Sequence, residues 1–307
     1  MTTPEIGFIG LGLMGAAMVG RLQDRGYALT VLGHRNRAGV EAAVGRGATE
    51  AATARDLAAA SDIVMLCMGT SDQVESRMRG PDGVIAGLRP GAVVIDFGTS
   101  LPASTRALGE EVAAAGGTYL DAPLGRTPAH AKDGLLNIMA AGDRATFDKV
   151  KPVLDEQGEN VFYLGALGAG HTTKLINNFM GMTTVCTMSQ AFAVADRAGV
   201  DRKHLYDIMS TGPSNSPFMG FCKKYAVDGV SDLGFSINNA NKDLGYFLKM
   251  AEDLGTRAEI AEGTSHNLQA AVEAGLGDGN VPEIFDYFLS LTTDGKAAGP
   301  HETVAAS

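Results

Sequence analysis

The sequence of 307 residues predicts an α/β fold with two domains. Short apolar runs alternate with helix-like segments through the first half, and such alternation produces a doubly wound parallel sheet with helices on both faces. Strand patterns stop at the glycine-rich segment Gly165–Gly170, after which apolar residues recur at helical spacing. We therefore expect a doubly wound sheet in residues 1–165 and an all-helical domain in residues 166–307, joined by a long helix. The length fits this division, because it exceeds the usual size of a single domain.

Short apolar runs predict the strands of the first domain. Ile6–Gly10 and Ala28–Leu32 come first, and Ile63–Met68 and Ala92–Ile95 follow with almost no alternation between apolar and polar residues. Continuous runs of this kind are typical of strands that are buried on both faces of a parallel sheet. Three further runs are expected to complete the same sheet: Thr118–Asp121, Leu136–Ala140 and Val161–Leu164.

Apolar residues at spacings of three or four predict the helices. Leu13–Arg25, Ser71–Arg79 and Pro102–Ala115 are the helix-like segments between strands of the first domain. In the second domain, Thr172–Ala198 contains no proline and predicts the long joining helix. The helical pattern then continues to about Leu289, with turns at Thr211–Pro217 and Gly275–Pro282, and the small, polar tail Thr292–Ser307 is expected to fray.

Composition and charge exclude several classes of partner. Lys and Arg number 25 against 35 Asp and Glu, so a net charge of -10 argues against nucleic acid as the main partner. The three cysteines have no paired or metal-ligand spacing, and we expect reduced thiols and no metal site. Met1 is not followed by a basic and apolar leader, and the apolar stretches are too short to span a membrane. A cytoplasmic protein without membrane contact is expected.

The segment Gly10-Leu11-Gly12-Leu13-Met14-Gly15 is a G-x-G-x-x-G motif between the first strand and the first helix. The first glycine allows a tight turn, the second lets the backbone approach a pyrophosphate, and the third lets helix and strand pack closely. The helix N-terminus then offers N–H groups and a positive dipole end to the phosphates. This pattern predicts a Rossmann domain that binds a dinucleotide through Gly10, Gly12, Leu13, Met14 and Gly15, with Met68 as a further contact. The alternative is a glycine-rich packing turn.

The end of the second strand discriminates between NAD and NADP. An acid there would bind the ribose hydroxyls, whereas a basic residue would accommodate a 2′-phosphate. The sequence reads Gly33-His34-Arg35-Asn36-Arg37, and no carboxylate appears before Glu41. We predict that His34, Arg35 and Asn36 contact the cofactor and that NADP is preferred, with NAD as the alternative. If Arg35 and Arg37 are only solvated residues at a helix start, this preference disappears.

Motifs along the whole chain carry a family resemblance. They are, in order, the glycine loop up to Gly15, Asp96-Phe97-Gly98-Thr99, Asp121-Ala122-Pro123, the segment from Gly170 through Lys174 to Asn178, and Lys242-Asp243-Leu244. In this combination, from about Ile6 to Leu289, the chain resembles the β-hydroxyacid dehydrogenases, the family that includes 3-hydroxyisobutyrate dehydrogenase. The resemblance implies a Rossmann domain followed by an all-helical domain, with the active site between them.

The resemblance also implies roles for individual residues. Lys174 matches the family's catalytic lysine, and Asn178 matches an amide that holds the substrate. Thr99 matches a residue near the nicotinamide and the substrate, and Lys242 matches a lysine near the closed site, where we count it as a cofactor contact. Asn177 is a further candidate substrate contact, because residues three or four apart share a helix face with Lys174.

Two departures from the family pattern bear on the substrate. Gly98 stands where the family has a serine, and Gly125-Arg126-Thr127 replaces the usual Ser-Gly-Gly. The second loop is similar to that of the sulfolactaldehyde reductases. Arg126 presents a fork of donors that suits carboxylate or sulfonate oxygens, and Thr127 adds a hydroxyl, so both are candidate ligands of a substrate anion. The alternative for Arg126 is a surface arginine paired with a nearby acid such as Asp133.

Reduction of a carbonyl by hydride requires one proton for the developing alkoxide. The candidate acids near the motifs are Asp96, Asp121, His171, Lys174 and Lys242. A lysine that is half-buried between domains loses solvation, which lowers its pKa toward neutrality, and Lys174 is the candidate that the motif supports. A solvated lysine in the first helical turn is the alternative. A lone histidine in a loop is more often a local cap, so His171 is given no role.

The leading hypothesis is an NADP-linked oxidoreductase that interconverts a small anionic aldehyde acid and its hydroxy acid, with sulfolactaldehyde as one substrate. The alternative substrate is 3-hydroxyisobutyrate or another 3- or 4-hydroxycarboxylate. A non-enzymatic dinucleotide-binding module and an imine reductase are two other classes, and the presence of Lys174 argues against both. We also expect a homodimer or homotetramer, because the helix from Thr172 has more apolar surface than one small helical domain can cover.

Overall fold

In a computed structural model, which describes residues 3–291, the apolar runs of the first half form a six-stranded parallel sheet. The strand order is β3-β2-β1-β4-β5-β6, so the order reverses between β1 and β4, as in a doubly wound sheet. This confirms the predicted fold class. The strands are β1 (Ile6–Ile9), β2 (Leu29–Leu32), β3 (Thr49–Ala51), β4 (Ile63–Leu66), β5 (Val93–Asp96) and β6 (Thr118–Asp121).

Successive residues of the central strands pack into two different cores. In β4, Ile63 and Met65 belong to the core on one face of the sheet, whereas Val64 and Leu66 belong to the core on the other face. Because both faces are covered, every residue of β4 is apolar, and the usual alternation is absent. The short edge strand β3 has two exposed residues and no apolar run, which is why the sequence did not predict it.

The last two predicted strands do not join this sheet, so the prediction that they complete it was wrong. They form a separate three-stranded sheet from β7 (Leu124–Gly125), β8 (Leu136–Ala140) and β9 (Gly158–Tyr163). The strand β6 is joined to the chain after β8 by one isolated antiparallel bridge, between Asp121 and Ala141, and Pro123 has no N–H with which to continue a ladder. Alternate residues of β8 are buried, as in a strand with a single covered face.

Eight helices connect the strands of the first half among the described residues. They are α1 (Leu13–Asp24), α2 (Ala38–Gly45), α3 (Ala54–Ala59), α4 (Ser71–Met78), α5 (Val84–Gly87), α6 (Pro102–Ala114), α7 (Pro128–Asp133) and α8 (Arg144–Asp155). Side chains at the N-caps begin several of them: Thr53 accepts a hydrogen bond from the Asp56 amide, and Asp143 accepts one from the Thr146 amide. The predicted helices end within a residue of the observed ones.

The second half is helical, as predicted, and within residues 175–291 the structure contains no strand. The 29-residue helix α9 (Ala169–Arg197) is followed by α10 (Arg202–Ser210), α11 (Pro217–Ala226), α12 (Ile237–Asp253), α13 (Glu259–Ala271) and α14 (Ile284–Ser290). A short π-helical segment, Val272–Leu276, and a 3-10 turn, Val281–Glu283, separate α13 from α14. Phe192, Ile237, Leu244 and Leu268 are fully buried at the centre of this helical core.

The chain divides into two compact units after Lys174, inside α9. We predicted the boundary at residue 165, where the glycine-rich segment begins. The first turn of α9 clusters with the sheet unit, and the helix from Leu175 onward clusters with the helical unit. The predicted fraying of Thr292–Ser307 concerns a segment outside the described residues. Across residues 3–291 there is no helix with the length and hydropathy that a membrane span requires.

Candidate active site

The glycine loop after β1 has the geometry that a dinucleotide requires. Gly10 has a φ of +98°, and a Cβ atom there would overlap the carbonyl oxygen of Cys67. A Cβ atom at Gly15 would overlap the carbonyl oxygen of Gly10, so α1 packs directly against the turn. Nothing lies within 4 Å of the Cβ position of Gly12, which leaves open space beside the exposed backbone. These are the three separate demands that the motif makes of its glycines.

The start of α1 is suited to an anion. Gly12 is the N-cap and supplies no side-chain hydrogen bond, and the first turn contains no acidic residue. The first amides of the helix and the positive end of its dipole are therefore available to phosphate oxygens. Leu13 is exposed and Met14 is half-buried at this helix start. The loop and the helix start together fit the pyrophosphate of a dinucleotide cofactor.

The two arginines that follow β2, Arg35 and Arg37, have different environments. The Arg37 guanidinium donates two hydrogen bonds to Glu50 on β3, at 2.6 and 2.9 Å. This pairing raises the pKa of Arg37 and lowers the pKa of Glu50. Arg35 is exposed and has no carboxylate partner within residues 3–291. Of the two arginines, Arg35 is thus the one available to a phosphate.

His34 and Asn36 lie in the same exposed segment as Arg35. The Asn36 side-chain oxygen accepts a hydrogen bond of 3.1 Å from the Ala38 amide and so helps to begin α2. Glu50 escaped the sequence reasoning because it lies 13 residues beyond Arg37, on the strand that the sequence did not predict.

A buried carboxylate shapes the turn that carries Thr99. Asp96, at the end of β5, accepts hydrogen bonds from the Gly98 amide at 2.8 Å and from the Ser100 hydroxyl at 3.0 Å. A Cβ atom at Gly98 would lie 3.0 Å from both the Asp96 Oδ1 atom and the Met68 carbonyl oxygen. The serine that the family has at this position would therefore fit only if these neighbouring atoms moved. Thr99 and Met68 are half-buried at the carboxyl ends of their strands, the edge at which such sheets bind ligands.

The loop from β7 to α7 holds Arg126 in an unusual backbone conformation. Arg126 has a φ of +76°, a left-handed value that glycine adopts far more readily than arginine. Its guanidinium donates a 2.6 Å hydrogen bond to the Leu135 carbonyl and forms an ion pair with Glu159. The structure therefore shows the surface pairing that the sequence left open, with Glu159 in place of Asp133. The Thr127 hydroxyl is 2.8 Å from the His130 Nδ1 atom.

Helix α9 carries the predicted catalytic residue and two of the predicted substrate-binding residues. Lys174 is half-buried, Asn178 is buried one turn later, and Asn177 is exposed between them. The Asn178 Nδ2 atom donates a 2.6 Å hydrogen bond to the Asp243 carboxylate on α12. The Asn177 side chain is 3.4 Å from the Asn178 Oδ1 atom. The carboxamide of Asn178 is thus fixed from two sides.

Asp243 is a functional candidate to which the sequence analysis gave no role, although it belongs to the Lys242-Asp243-Leu244 motif. It is 2% exposed, and its Oδ1 atom is 2.9 Å from the Lys242 Nζ atom. The Lys242 ammonium also lies 5.0 Å from the ring centre of Tyr246. A signal was present in the sequence, because Asp243 falls on the same buried helical stripe as Ala240 and Leu244, where a carboxylate needs a polar partner.

Two buried carboxylates and a histidine lie at the carboxyl ends of β5 and β6. Asp96 and Asp121 are neighbours in the sheet register, and His171 is 3.7 Å from the first and 3.8 Å from the second. The His171 Nδ1 atom is also 2.7 Å from the Thr105 hydroxyl on α6. His171 is therefore a buried residue of α9 and not a local cap in a loop, as we had expected. Burial raises the pKa of Asp121.

Neither thiolate nor metal chemistry is indicated among the described residues. Burial raises the pKa values of Cys67, Cys186 and Cys222 to about 12, so these thiols remain protonated at neutral pH. Residues 3–291 contain no group of three or more His, Cys, Asp or Glu side chains placed to hold a metal ion.

Comparison with known proteins agrees with this geometry. Residues 5–165 match the family model for the NAD-binding domain of 6-phosphogluconate dehydrogenase. Residues 168–288 match the model for the NAD-binding domain of NADP-dependent 3-hydroxyisobutyrate dehydrogenase. The predicted NAD(P) cofactor and the family resemblance are confirmed, whereas the narrower likeness to sulfolactaldehyde reductases finds no support in these matches.

Individual relatives cover most of the chain. The 2-hydroxy-3-oxopropionate reductase of Escherichia coli is 31% identical over 81% of this chain and 85% of its own. The 2-(hydroxymethyl)glutarate dehydrogenase of Eubacterium barkeri is 28% identical over 94% of this chain and 96% of its own. The solved structure of Mycobacterium tuberculosis 3-hydroxyisobutyrate dehydrogenase with L-serine has a TM-score of 0.84 and 24% identity, over 92% of this chain and 98% of its own. The chain belongs to the 3-hydroxyisobutyrate dehydrogenase-like β-hydroxyacid dehydrogenases, a family of NAD(P)-dependent oxidoreductases of hydroxy acids.

Proposed function

We propose that the protein reduces a small aldehyde acid to its hydroxy acid with NADPH and catalyses the reverse oxidation. The observation that carries this proposal is the pair Lys174 and Asn178, one turn apart on α9, with the Asn178 carboxamide fixed by the buried Asp243. A fixed amide beside a half-buried lysine provides a hydrogen-bond donor and a proton donor for one carbonyl oxygen. The relatives named above are a dehydrogenase and a reductase of small acids, which supports the same reaction class.

NADPH, held by the glycine loop and the start of α1, would supply the hydride, and the protein would supply the proton. In the direction of reduction, the Lys174 Nζ atom gives a proton to the carbonyl oxygen as the carbon accepts the hydride, so that C=O becomes CH–OH. In oxidation the same amine accepts the proton. Asn178 orients the substrate oxygen through its amide, and Thr99, held by the Asp96 turn, is the proposed contact at the carboxyl edge of the sheet. Asn177 is a proposed substrate contact and Lys242 a proposed cofactor contact.

The proposed cofactor preference is NADP, through Arg35. Arg35 has no carboxylate partner in the part of the chain that the structure describes, whereas the Arg37 guanidinium is hydrogen-bonded to Glu50. Replacing Arg35 by Ala should raise the KM for NADPH and leave the KM for NADH nearly unchanged, because only NADPH carries the 2′-phosphate. Arg37→Ala is the matched control and should change the preference little. Steady-state kinetics with both cofactors decide this, and better efficiency of the wild-type enzyme with NADH would contradict the proposal.

We propose a carboxylate as the acid group of the substrate. The case for a sulfonate depends on the Arg126 loop and its likeness to that of the sulfolactaldehyde reductases, but the Arg126 guanidinium is bound to Glu159 and the Leu135 carbonyl. Sulfolactaldehyde is therefore the second candidate, which requires Arg126 to leave Glu159. Such an exchange is energetically accessible, because a surface ion pair is worth only about 0–1 kcal/mol.

The substrate assignment is tested by NADPH oxidation with a panel of short semialdehydes. The panel pairs each carboxylate with the matching sulfonate and with a neutral amide. We expect turnover of the acids, a preference for carboxylate over sulfonate and poor turnover of the amides. Preference for the sulfonate would favour the second candidate, and equal turnover of acid and amide would contradict a substrate with an anionic group.

A further inference from the structure

The first turn of α9 lacks a cap of its own. The preceding segment Gly165–Gly168 contains no Ser, Thr, Asp or Asn whose side chain could accept hydrogen bonds from the first helical amides. Gly168 is in the N-cap position, because its carbonyl accepts the hydrogen bond of the Thr172 amide. The amides of the following turn must therefore find acceptors elsewhere in the fold.

Asp121 of β6 provides these acceptors from outside the helix. Its Oδ1 atom accepts a 2.8 Å hydrogen bond from the Gly168 amide, and its Oδ2 atom accepts a 2.7 Å hydrogen bond from the His171 amide. These are the N-cap and N3 amides, the two donors that a capping box satisfies with two side chains of the helix itself. Here one carboxylate on a neighbouring strand satisfies both. It also lies at the positive end of the helix dipole.

The contact leaves no room for a side chain at Gly170. A Cβ atom there would overlap the Met139 carbonyl oxygen and would lie 2.8 Å from the Asp121 Oδ2 atom. The glycine thus allows the helix backbone to rest directly on the ends of β6 and β8. A second tether comes from the His171 ring, whose Nδ1 atom is 2.7 Å from the Thr105 hydroxyl on α6.

Lys174 follows one turn after Gly170 and is the last residue that clusters with the sheet unit. Its position along and around the helix axis is set by the turn that Asp121 holds, because the helical hydrogen bonds make that turn and the next one rigid. We propose that Asp121 is a positioning residue: its buried carboxylate caps α9 from β6 and so fixes Lys174 relative to the carboxyl edge of the six-stranded sheet. The inference rests on the proposed function, because that function gives Lys174 its role.

The test uses Asp121→Asn in the full-length enzyme. The amide keeps the shape of the side chain but replaces one acceptor by a donor that faces a backbone N–H. Hydrogen–deuterium exchange of a peptide covering residues 166–176 should become faster. The kcat should fall on the order of 10²-fold, the scale of a displaced reacting group, while the Kd for NADPH stays unchanged. Asp121→Ala should lose more of the kcat than Asp121→Asn, which keeps one acceptor.

Asp143→Asn is the matched control. Asp143 caps α8 in the same unit through the Thr146 amide, at 2.7 Å, and is exposed. Its loss should accelerate exchange in α8 and leave the kcat and the exchange of residues 166–176 unchanged. An equal loss of kcat in Asp143→Asn would show that any weakened cap disables the enzyme and would overturn the proposal.

Gly170→Ala perturbs the same contact without changing the charge. It should reproduce the faster exchange and the lower kcat, whereas Gly263→Ala, in α13 with nothing within 4 Å of the added atom, should do neither. This second variant keeps the proposal testable if Asp121→Asn does not fold.

Unchanged exchange in residues 166–176 of Asp121→Asn would overturn the proposal, and so would an unchanged kcat despite faster exchange. A parallel loss of NADPH affinity and kcat would indicate general loosening of the unit and would also overturn it. If the wild-type enzyme turns over no compound of the panel, the proposed function fails, and the exchange data alone decide whether Asp121 caps α9.

Discussion

At the scale of single residues, Lys174 is the side chain on which the proposed chemistry depends. Replacing it by Ala should lower the kcat by about 10²–10⁴-fold, the usual contribution of a general acid or base. The Kd for NADPH should stay the same, because the proposed role of the amine concerns the alkoxide and not the dinucleotide. Single-turnover kinetics and cofactor fluorescence titration measure the two quantities.

Lys151→Ala is the control for this substitution. Lys151 pairs with Asp155 on the surface of α8, at 2.7 Å, and its loss should leave both quantities unchanged. If Lys174→Ala retained most of the turnover, the proton would have to come from another group, and the role of Lys174 would be that of a solvated helix residue.

Removal of the Asp243 side chain should lower the stability of the protein and weaken substrate binding. Asp243→Ala removes the acceptor of the Asn178 side chain and the carboxylate that lies 2.9 Å from the Lys242 Nζ atom. We expect the free energy of unfolding to fall by about 1.5–3 kcal/mol, the range for a hydrogen bond to a charged group. The KM for the acid substrate should rise, because Asn178 loses its orientation.

Chemical denaturation and steady-state kinetics measure these effects. Asp253→Ala is the control on the same helix, because Asp253 forms an exposed pair with Lys249, at 2.9 Å. Its effect should be small, since exposed pairs contribute little to stability. A normal KM in Asp243→Ala would contradict the idea that Asp243 positions Asn178.

In two contacts between distant residues, the sequence analysis gave a role to one partner and none to the other. Motifs and helical spacing were sufficient to single out Asn178 and Lys174, because both lie on one helix. Asp243 is 65 residues from Asn178, and Glu159 is 33 residues from Arg126. No local periodicity connects residues so far apart, because their contact depends on how separate elements pack.

At the scale of elements, the turn after β7 combines backbone strain with a surface ion pair. A left-handed conformation at a residue other than glycine costs on the order of 1–2 kcal/mol, and an exposed pair such as Arg126–Glu159 returns about 0–1 kcal/mol. The balance favours glycine, the residue that the family pattern has at this position. The arginine is therefore not explained by the stability of the turn.

Arg126→Gly should raise the free energy of unfolding by up to about 1 kcal/mol, because it removes the strain. The preference for carboxylate over its neutral analogue should persist if the substrate acid binds elsewhere. Urea denaturation and the semialdehyde panel measure the two effects. Glu159→Gln, which removes only the ion pair, is the control and should leave stability nearly unchanged. Loss of the acid preference in Arg126→Gly would show instead that Arg126 binds the substrate anion.

The elements themselves were largely predictable, with instructive exceptions. The continuous apolar runs of β1, β4 and β5 follow from burial on both faces and could be read directly. The assignment of β8 to the main sheet was wrong because periodicity describes one strand and not its neighbours. Alternation in β8 was the available signal that it has one covered face. The start of α9 was predicted at Thr172, three residues late, because the side chain that caps the helix is Asp121 of β6 and not a residue next to the helix.

At the scale of the whole molecule, helices α9 and α10 present apolar side chains to solvent. Met180 is 60% exposed, Val194 is 62% exposed and Ile208 is 72% exposed. We predict that a second copy of the chain covers these side chains, because exposed apolar surface of this kind can mark a contact with another protein. The predicted homodimer or homotetramer therefore has a candidate surface.

Val194→Lys should shift the mass measured by light scattering toward that of a monomer, because it places a charge on this surface. Val44→Lys, at an exposed position of α2, is the control and should leave the mass unchanged. A monomeric wild-type protein at working concentration would contradict the prediction of an oligomer.

The boundary between the two units lies inside the continuous helix α9. The units therefore cannot be exchanged between relatives by joining two chains at the glycine-rich segment. A chimaera joined at residue 165 would separate Asp121 from both of its amide donors and would place Lys174 with the wrong parent. A junction after Lys174 keeps the lysine with its own sheet. Even there, one inserted residue would turn everything downstream by about 100° about the helix axis and carry Asn178 off the face of Lys174. Recombination within this family should therefore succeed only where the helical phase of α9 is preserved.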